Sequence, residues 1–212
     1  MGGIMSLILQ GSTTGSVTLQ EPAVAGTTVL TLPAVSGTVL TTGSSGQSIP
    51  KAALPTGSVL QVVSTTKTDT FSSTSSTDVA ITGLSATITP TSASSKILVL
   101  TTFAFNVDDT SNIRFNLYRN ASQITAYRGD ARGNNSRAAI FYRGLQGGQN
   151  IYNAYAFGNM NYLDSPASTS ALTYQVYGNT NGTIFINRPA GDYNNSDGCT
   201  TASTITVMEI AA

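Results

Sequence analysis

The sequence predicts an all-β protein: an N-terminal extended β-repeat arm followed by an antiparallel β-sandwich or jelly-roll body. Thr, Ser, Asn and Gly supply most of the polar residues, and these types favour strands and turns over helices. No long run carries apolar residues at the three-and-four spacing of an amphipathic helix. From residue 57 onward, short apolar runs alternate with turn signals, which indicates a two-sheet antiparallel body.

The arm is predicted from a tandem repeat with a step of eleven residues. The segment 22–26 (PAVAG) recurs at 33–37 (PAVSG), with short strand-like runs beside these marks. A β unit of this length cannot bury an apolar face alone, so we expect residues 1–43 to pack on other subunits or on a partner protein. Residues 44–56 form the predicted linker, and residues 57–212 form the body. The residues predicted to make the assembly contacts of the arm are Pro22, Gly26, Leu30, Leu32, Pro33 and Gly37.

The first part of the body contains three strong strand signals. The run 59–63 is the first predicted strand. The runs 79–81 and 86–89 are predicted to flank a turn at Gly83, because Gly accepts turn conformations. The run 96–107 begins apolar on both faces, which predicts a central strand covered on both sides.

The rest of the body is predicted from alternation and turn signals. Ile113, Phe115 and Leu117 alternate with polar residues after a predicted turn at 108–112, which is a hairpin signature with the preceding strand. The segment 179–182 (NTNG) is another hairpin-turn signal. Further strands are predicted at 138–142, 151–157, 172–176, 184–186 and 204–210.

The residue inventory excludes most catalytic chemistry. The chain has no His and one Cys, so it lacks a Ser-His-Asp triad, a Cys-His pair and a histidine or thiolate metal site. We therefore expect no enzyme activity and no cofactor. The remaining option is a carboxylate pair like that of glycoside hydrolases. Its candidates are Asp108, Asp109, Asp130, Asp164, Asp192 and Asp197.

Two of these acidic stretches have plainer interpretations. Asp108-Asp109 sits in a predicted turn, where Asp is favoured for its turn geometry. The loop 192–198 is rich in oxygen donors that suit Ca²⁺, but it lacks EF-hand spacing. A plain polar loop is the favoured interpretation, and no metal site is predicted.

Charge and hydropathy limit the partners. The formal net charge is zero, so the chain as a whole is not predicted to bind nucleic acid. The N-terminus has no basic region and no long apolar stretch, so neither a signal peptide nor membrane insertion is predicted. We expect synthesis in a cytoplasm followed by assembly. Only 9% of residues are charged, which indicates a neutral polar surface or a surface covered in an assembly.

An arginine cluster between residues 114 and 143 is the most distinctive polar feature. Its cations are opposed there only by Asp130. Such a cluster suits subunit contacts or an anionic partner, although ordinary solvated strand faces would produce the same pattern. Nearby tyrosines suit carbohydrate or protein recognition. The candidate contact residues are Arg114, Arg119, Arg128, Arg132, Arg137, Arg143, Tyr127, Tyr142, Tyr152 and Tyr155.

Several motifs together resemble a known family. They are 26–40 (GTTVLTLPAVSGTVL), 87–90 (TITP) with 95–99 (SKILV), 163–167 (LDSPA) with 172–174 (LTY), 186–188 (INR) and 203–212 (STITVMEIAA). These segments are similar to bacteriophage tail-fibre and other virion proteins that are familiar in phages of cyanobacteria and marine bacteria. The resemblance implies a virion structural protein, usually a homotrimer.

The resemblance leaves the position on the particle open. The first expectation is a tail fibre or receptor-binding protein in the tail region, which binds a host surface glycan or protein by multivalent adhesion while residues 1–43 attach it to other virion proteins. The alternative is a capsid decoration (cement) protein whose arm clamps neighbouring capsid subunits. A glycan-cleaving fibre enzyme that uses a carboxylate pair is the least favoured option.

Overall fold

A computed structural model of the chain describes residues 6–10, 13–14, 16–20, 51, 54–107, 111–144, 155–191 and 199–212. The chain divides into two compact units, residues 1–48 and 49–212. In the first unit, β1 (Ser6–Gln10) pairs antiparallel with β2 (Ser16–Gln20), with Ile8 opposite Thr18. The six residues predicted for arm assembly lie outside the described residues. The attachment role of residues 1–43 and the linker at 44–56 therefore stay predictions.

The second unit is an antiparallel sandwich of two sheets, which confirms the predicted all-β class. The strands of the first sheet are β3 (Val59–Lys67), β4 (Phe71–Ser73), β6 (Lys96–Val107), β10 (Ala156–Asp164), β12 (Ile184–Ile186) and β13 (Ser203–Ile210). The strands of the second sheet are β5 (Val79–Ile88), β7 (Asn112–Arg119), β8 (Ser122–Gln123), β9 (Ile140–Arg143) and β11 (Leu172–Thr180).

The pairing order of the first sheet is β3-β13-β6-β12-β4; β13 and β12 pair one after the other along one side of β6, and β10 pairs along its other side. The order of the second sheet is β5-β11-β7-β8, and β9 also pairs with β7. In the described part of the chain the longest helical segment is a 3-10 turn at Thr125–Tyr127. No described helix has the length and hydropathy that a bilayer span requires.

The core lies between the inner faces of the two sheets. On β6, the alternating inner residues Ile97, Val99, Phe103 and Phe105 are buried, as predicted for a central strand. Phe103 packs against Phe115 of β7 in an edge-on geometry, with ring centroids 4.8 Å apart. Phe105 packs against the same ring at 4.9 Å. This aromatic cluster joins the sheets, because its members come from both.

The predicted hairpin between β6 and β7 is wrong. β6 pairs with β10, β12 and β13, whereas β7 pairs with β8, β9 and β11. The two strands lie in opposite sheets and meet through their apolar faces across the core. Alternation identifies a strand and its buried face, but it does not identify the neighbour to which the backbone is hydrogen-bonded.

Two predicted turns also have different roles from those expected. Gly83 lies inside the continuous strand β5 with φ +82°, where four residues of β5 face Val176 alone between the paired positions. This irregularity of four residues against one places both Ile81 and Leu84 in the core. The segment 179–182 leads from β11 of the second sheet into β12 of the first, so it connects sheets and does not close a hairpin.

Strand extents differ from the predictions at β10. The predicted strand 151–157 overlaps β10 by two residues, and residues 151–154 lie outside the described part of the chain. β10 continues to Asp164 through Gly158 and two Asn residues, which β-propensity disfavours. Its pairing with β6 along nine residues overrides that local preference.

A buried asparagine fixes the corner after β12. Asn187 has φ +60° and is fully buried. Its Nδ2 donates to the backbone carbonyls of Lys67 and Asp69 at 2.9 and 3.0 Å, and its Oδ1 accepts from the hydroxyl of Ser203 at 2.5 Å. Asn tolerates the left-handed conformation and satisfies three backbone or side-chain partners at once, so this residue of the 186–188 motif has a structural role.

Glu209 is a second buried polar anchor in the first sheet. It lies on β13, fully buried, and accepts hydrogen bonds from Gln61 Nε2 at 2.6 Å and from the backbone and hydroxyl of Thr91 at 2.7 Å. Burial alone would raise the pKa of Glu209. The hydrogen bonds from Thr91, Ser95 and Gln61 outweigh burial and hold the pKa below its usual value.

Candidate functional site

The candidate site lies on the outside of the second sheet, where β7 and β9 pair. Ile113, Phe115 and Leu117 point into the core, so Arg114 between them points outward. In the β7–β9 register, Arg114 faces Phe141. The same alternation turns Phe141 outward, and 56% of its side chain is exposed.

Arg114 and Phe141 line an open cleft of about 440 Å³. The Arg114 guanidinium lies 5.6 Å from the centre of the Phe141 ring, within cation–π range. Arg137 enters from the loop before β9, and its Nε donates to the carbonyl of Gly129 at 2.5 Å. The remaining lining residues are Asp130, Asn135, Ser136 and Ala138.

The arginines of this region are mostly without a carboxylate partner. Among the described residues the ion pairs are Lys67–Asp69 and Arg119–Asp164. Among the described arginines of the 114–143 cluster, Arg119 is therefore the one whose charge is balanced by an ion pair with a carboxylate. Arg114 and Arg137 share the cleft with Asp130 but do not form an ion pair with it. The cleft therefore has a net positive charge.

A polar network borders the cleft on the same outer face. Asp78 accepts hydrogen bonds from Asn116 Nδ2 at 3.1 Å, Tyr118 OH at 2.7 Å and Gln123 Nε2 at 3.0 Å. Asn179 also donates to Asp78, and its Oδ1 accepts from Arg114 Nη1 at 3.4 Å. Asn179 thereby connects Arg114 to Asp78, and this contact orients the Arg114 side chain.

Two tyrosines complete this face. Tyr118 and Tyr177 stack with ring centroids 3.8 Å apart. Burial, together with the hydrogen bond to Asp78, raises the pKa of Tyr118 well above its ordinary value, so this hydroxyl stays protonated and donates. Neither tyrosine was among the predicted contacts. Alternation along β7 and β11 is the signal that places both outside.

The other predicted arginines are dispersed around the cleft. Arg119 on β7 donates to the buried carboxylate of Asp164 on β10 at 2.5 Å, so its charge is used in a contact between the two sheets. Arg143 is exposed on β9, and Arg132 is exposed in the loop between β8 and β9. Arg128 is half-buried, and its Nε has no hydrogen-bond partner in the described structure. Arg114 and Arg137 are thus the two that share a cavity.

The predicted tyrosines make contacts inside the fold. Tyr142 packs edge-on against Phe105 at 5.3 Å. Tyr127 stacks at a tilt on Tyr162, and its hydroxyl accepts from the backbone of Asn161. Tyr155 donates to the carbonyl of Cys199. Tyr152 lies outside the described residues.

The predicted acidic candidates separate in the same way. Asp130 lines the arginine cleft, and Asp164 is buried between the sheets. Asp108, Asp109 and the loop 192–198 lie outside the described residues. The interpretation of 192–198 as a plain polar loop and not a Ca²⁺ site therefore stays a prediction. Within the described ranges, no group of three or more His, Cys, Asp or Glu is arranged to hold a metal ion.

The outside of the first sheet has the opposite character. One cross-strand row holds Val62 on β3, Met208 on β13, Leu98 on β6 and Leu163 on β10. Val62 and Leu163 are 54% and 47% exposed. On one side of this row the next outward positions are Ser64, Thr66, Leu100, Thr102, Phe157, Asn159, Asn161, Thr204 and Thr206, and none of these side chains is charged. On the other side of the row Lys96, the exposed first residue of β6, is charged and marks the end of this uncharged surface.

We call this surface, defined by these outward residues of β3, β13, β6 and β10, the neutral face. It ends at β10, whose one strand partner in the described structure is β6. Phe157, at 63% exposure, lies on that edge strand. Exposed apolar patches of this kind mark interaction surfaces, and an edge strand offers backbone groups for pairing.

Comparison with known proteins identifies no family. No family model and no curated protein matches the chain. Among solved structures, the VP2 subviral particle of infectious bursal disease virus is similar at 14% identity and a TM-score of 0.33, over 72% of this chain and 37% of that chain. The structure of the Gx strain of the same virus matches at 16% identity and a TM-score of 0.33, over 99% and 46%. The chain thus spans less than half the length of each, and a likeness this low does not bear on function.

Proposed function

We propose that this protein is a structural component of a virion, a tail fibre or receptor-binding protein that acts by multivalent adhesion and not by catalysis. The observation that supports this proposal is the contrast between the two outer faces of the sandwich. The first sheet presents the neutral face, and the second presents a cationic cleft beside a tyrosine pair. Motifs that resemble phage fibre proteins supply the particle context.

The neutral face is the proposed contact between copies of the chain. The cores of protein interfaces are depleted in charged residues, as this face is. Identical copies bring identical charges together, so a face whose only outward charge on β6, Lys96, lies at its end avoids that repulsion over its centre. The row Val62, Met208, Leu98, Leu163 offers apolar area, and the Ser and Thr side chains beside it offer hydrogen bonds. We propose that the assembly is a homotrimer.

Association would then repeat the arginine cleft on each copy. Linked sites bind far more tightly than single ones, because each later contact is intramolecular. A shallow, cationic cleft with modest affinity is sufficient for adhesion under that arrangement. Residues 1–43 are the proposed attachment to other virion proteins.

The double substitution Val62→Lys with Leu163→Lys is expected to convert the oligomer into monomers. It places like charges on facing copies and replaces apolar contact area. Native mass measurement at micromolar concentration gives the readout. Thr87→Lys on the outside of the second sheet is the matched control and should leave the oligomer intact. A wild-type monomer, or a variant that assembles like wild type, would contradict the proposed interface.

Particle location separates the tail fibre from capsid decoration. Gold-labelled antibody against residues 57–212 is expected to mark the tail region of the particle. Label spread over the head would replace the fibre proposal with the decoration protein, since both use the same neutral face for assembly. Absence of label from intact particles would contradict both.

A further inference from the structure

The geometry points to an acidic saccharide as the ligand of the arginine cleft, with its carboxylate on Arg114 and Arg137 and its ring on Phe141. This inference rests on the proposed adhesive function and names the chemistry of the surface that would be bound. It is built from three properties of the cleft: unneutralised guanidinium groups, an exposed aromatic ring and a set of acceptors.

The guanidinium groups of Arg114 and Arg137 favour an anionic ligand. Each Arg has five N–H donors, of which Arg137 uses Nε on Gly129 and Arg114 uses Nη1 on Asn179. The donors that remain at the cleft are planar forks, which match a carboxylate in two-pronged geometry. Because Asn179 and Phe141 hold Arg114 and a backbone carbonyl holds Arg137, binding costs less side-chain ordering.

The acceptors favour a sugar over a densely charged polymer. Asp130 is in the same cleft, and its carboxylate would repel a second phosphate or a run of acidic side chains. A saccharide with one carboxylate per ring offers hydroxyl donors to Asp130 while its own charge meets the arginines. Asn135 and Ser136 add neutral hydrogen-bonding groups of both kinds.

The ring and the size of the cleft agree with this class. Phe141 leaves more than half of its side chain open, so a sugar ring can lie against it through its C–H face. The cleft volume of about 440 Å³ lies within the roughly 300–1,000 Å³ typical of small-ligand sites. The cleft is also open, which admits an internal segment of a longer chain.

The test uses calorimetric binding to tetramers of galacturonate, mannuronate and N-acetylneuraminate, each paired with its carboxyl-reduced counterpart. We expect the wild-type oligomer to bind at least one acidic tetramer about tenfold more tightly than its reduced form, because reduction of the carboxyl group removes its charge-assisted hydrogen bonds to the guanidinium groups. Arg114→Gln with Arg137→Gln should abolish this preference. Phe141→Ala should weaken binding of the acidic tetramer.

Two controls make the result specific to the cleft. Arg132→Gln removes an exposed charge outside the cleft lining and should bind as wild type does. Arg114→Lys with Arg137→Lys keeps the charge but loses the planar forks, so it should recover only part of the preference. Equal losses in the Arg132 and cleft variants would overturn the inference, as would the absence of any preference across the three sugars.

The inference and the adhesive function fail separately. If the oligomer binds bacterial cells and the Gln double variant binds them equally well, adhesion stands and the cleft assignment falls. If the wild type prefers acidic tetramers but binds no cell surface, the cleft assignment stands and adhesion falls. Thermal denaturation of each variant alongside wild type excludes misfolding as the cause of lost binding.

Discussion

Replacing Gly158 by valine is expected to destabilise the protein by about 3 kcal/mol or more, at the upper end of what overpacking costs. Gly158 lies on β10 directly opposite Phe103 of β6, and both face the core. A Cβ atom at Gly158 would lie under 3.0 Å from three ring atoms of Phe103. The ring cannot move aside, because Phe105 and Phe115 already pack against it.

Urea denaturation followed by circular dichroism measures this loss. Gly129→Val is the matched control, because a Cβ there meets only the Ala138 carbonyl, at 3.9 Å, and it should be nearly neutral. A second arm uses the smaller change Gly158→Ala in wild type and in a Phe103→Leu background. If the ring causes the clash, the alanine should cost about 1 kcal/mol less beside leucine. Equal costs in both backgrounds would assign the requirement for glycine to the backbone instead.

Gly158 shows what the sequence could and could not predict. Strong β signals such as 96–107 and 204–210 predicted strands that the structure confirms, because their alternation is set by burial on one or both faces. β10 was largely missed, because Gly158, Asn159 and Asn161 are poor strand residues taken alone. The ring of Phe103 makes glycine necessary at that position, and this reason is visible only once the strands are paired.

The same limit explains the errors in connectivity. The segment 179–182 and the stretch before Ile113 carry turn signals, yet each connects strands of different sheets. Turn residues specify that the chain reverses, and apolar residues specify which side is buried. Whether the next strand pairs within its own sheet or crosses the core depends on the buried partners, such as Ile184 and Ile186 against β6.

The sequence predicted which residue types form the candidate site, but it did not predict which of those residues lie together. The arginine cluster is evident as a run of cations, and the alternation on β7 places Arg114 outside. Its division into a cleft pair, an ion pair of Arg119 with the buried Asp164 and three arginines outside the cleft depends on contacts across the fold. Phe141 was placed in a predicted strand and not recognised as a contact residue, although its exposure follows from the same alternation that turns Tyr142 towards the core.

Replacing Asp164 by alanine is expected to destabilise the protein by about 3 kcal/mol, because a buried acceptor shared by two donors is lost. Asp164 ends β10 in the first sheet. Its Oδ2 accepts from Tyr174 OH at 2.7 Å and from Arg119 Nη1 at 2.5 Å, both of which belong to the second sheet. Burial and the bond to Asp164 raise the pKa of Tyr174 far above its ordinary value, so the phenol stays a donor.

A double-mutant cycle separates the energy of the Tyr174–Asp164 hydrogen bond from the cost of removing the Asp164 side chain. Tyr174→Phe alone should cost about 1 kcal/mol, the net value of one hydrogen bond. In the Asp164→Ala background the same change should cost nothing or restore stability, because it removes a buried hydroxyl that no longer has an acceptor.

The ion pair of Arg119 with Asp164 contributes less to stability than the Tyr174 hydrogen bond, since about a third of the Arg119 side chain reaches solvent and stays hydrated. Asp164→Asn keeps an acceptor oxygen and should be intermediate. Additive costs in the cycle would show that Asp164 and Tyr174 act independently, and the Tyr174–Asp164 hydrogen bond would then not contribute to joining the sheets.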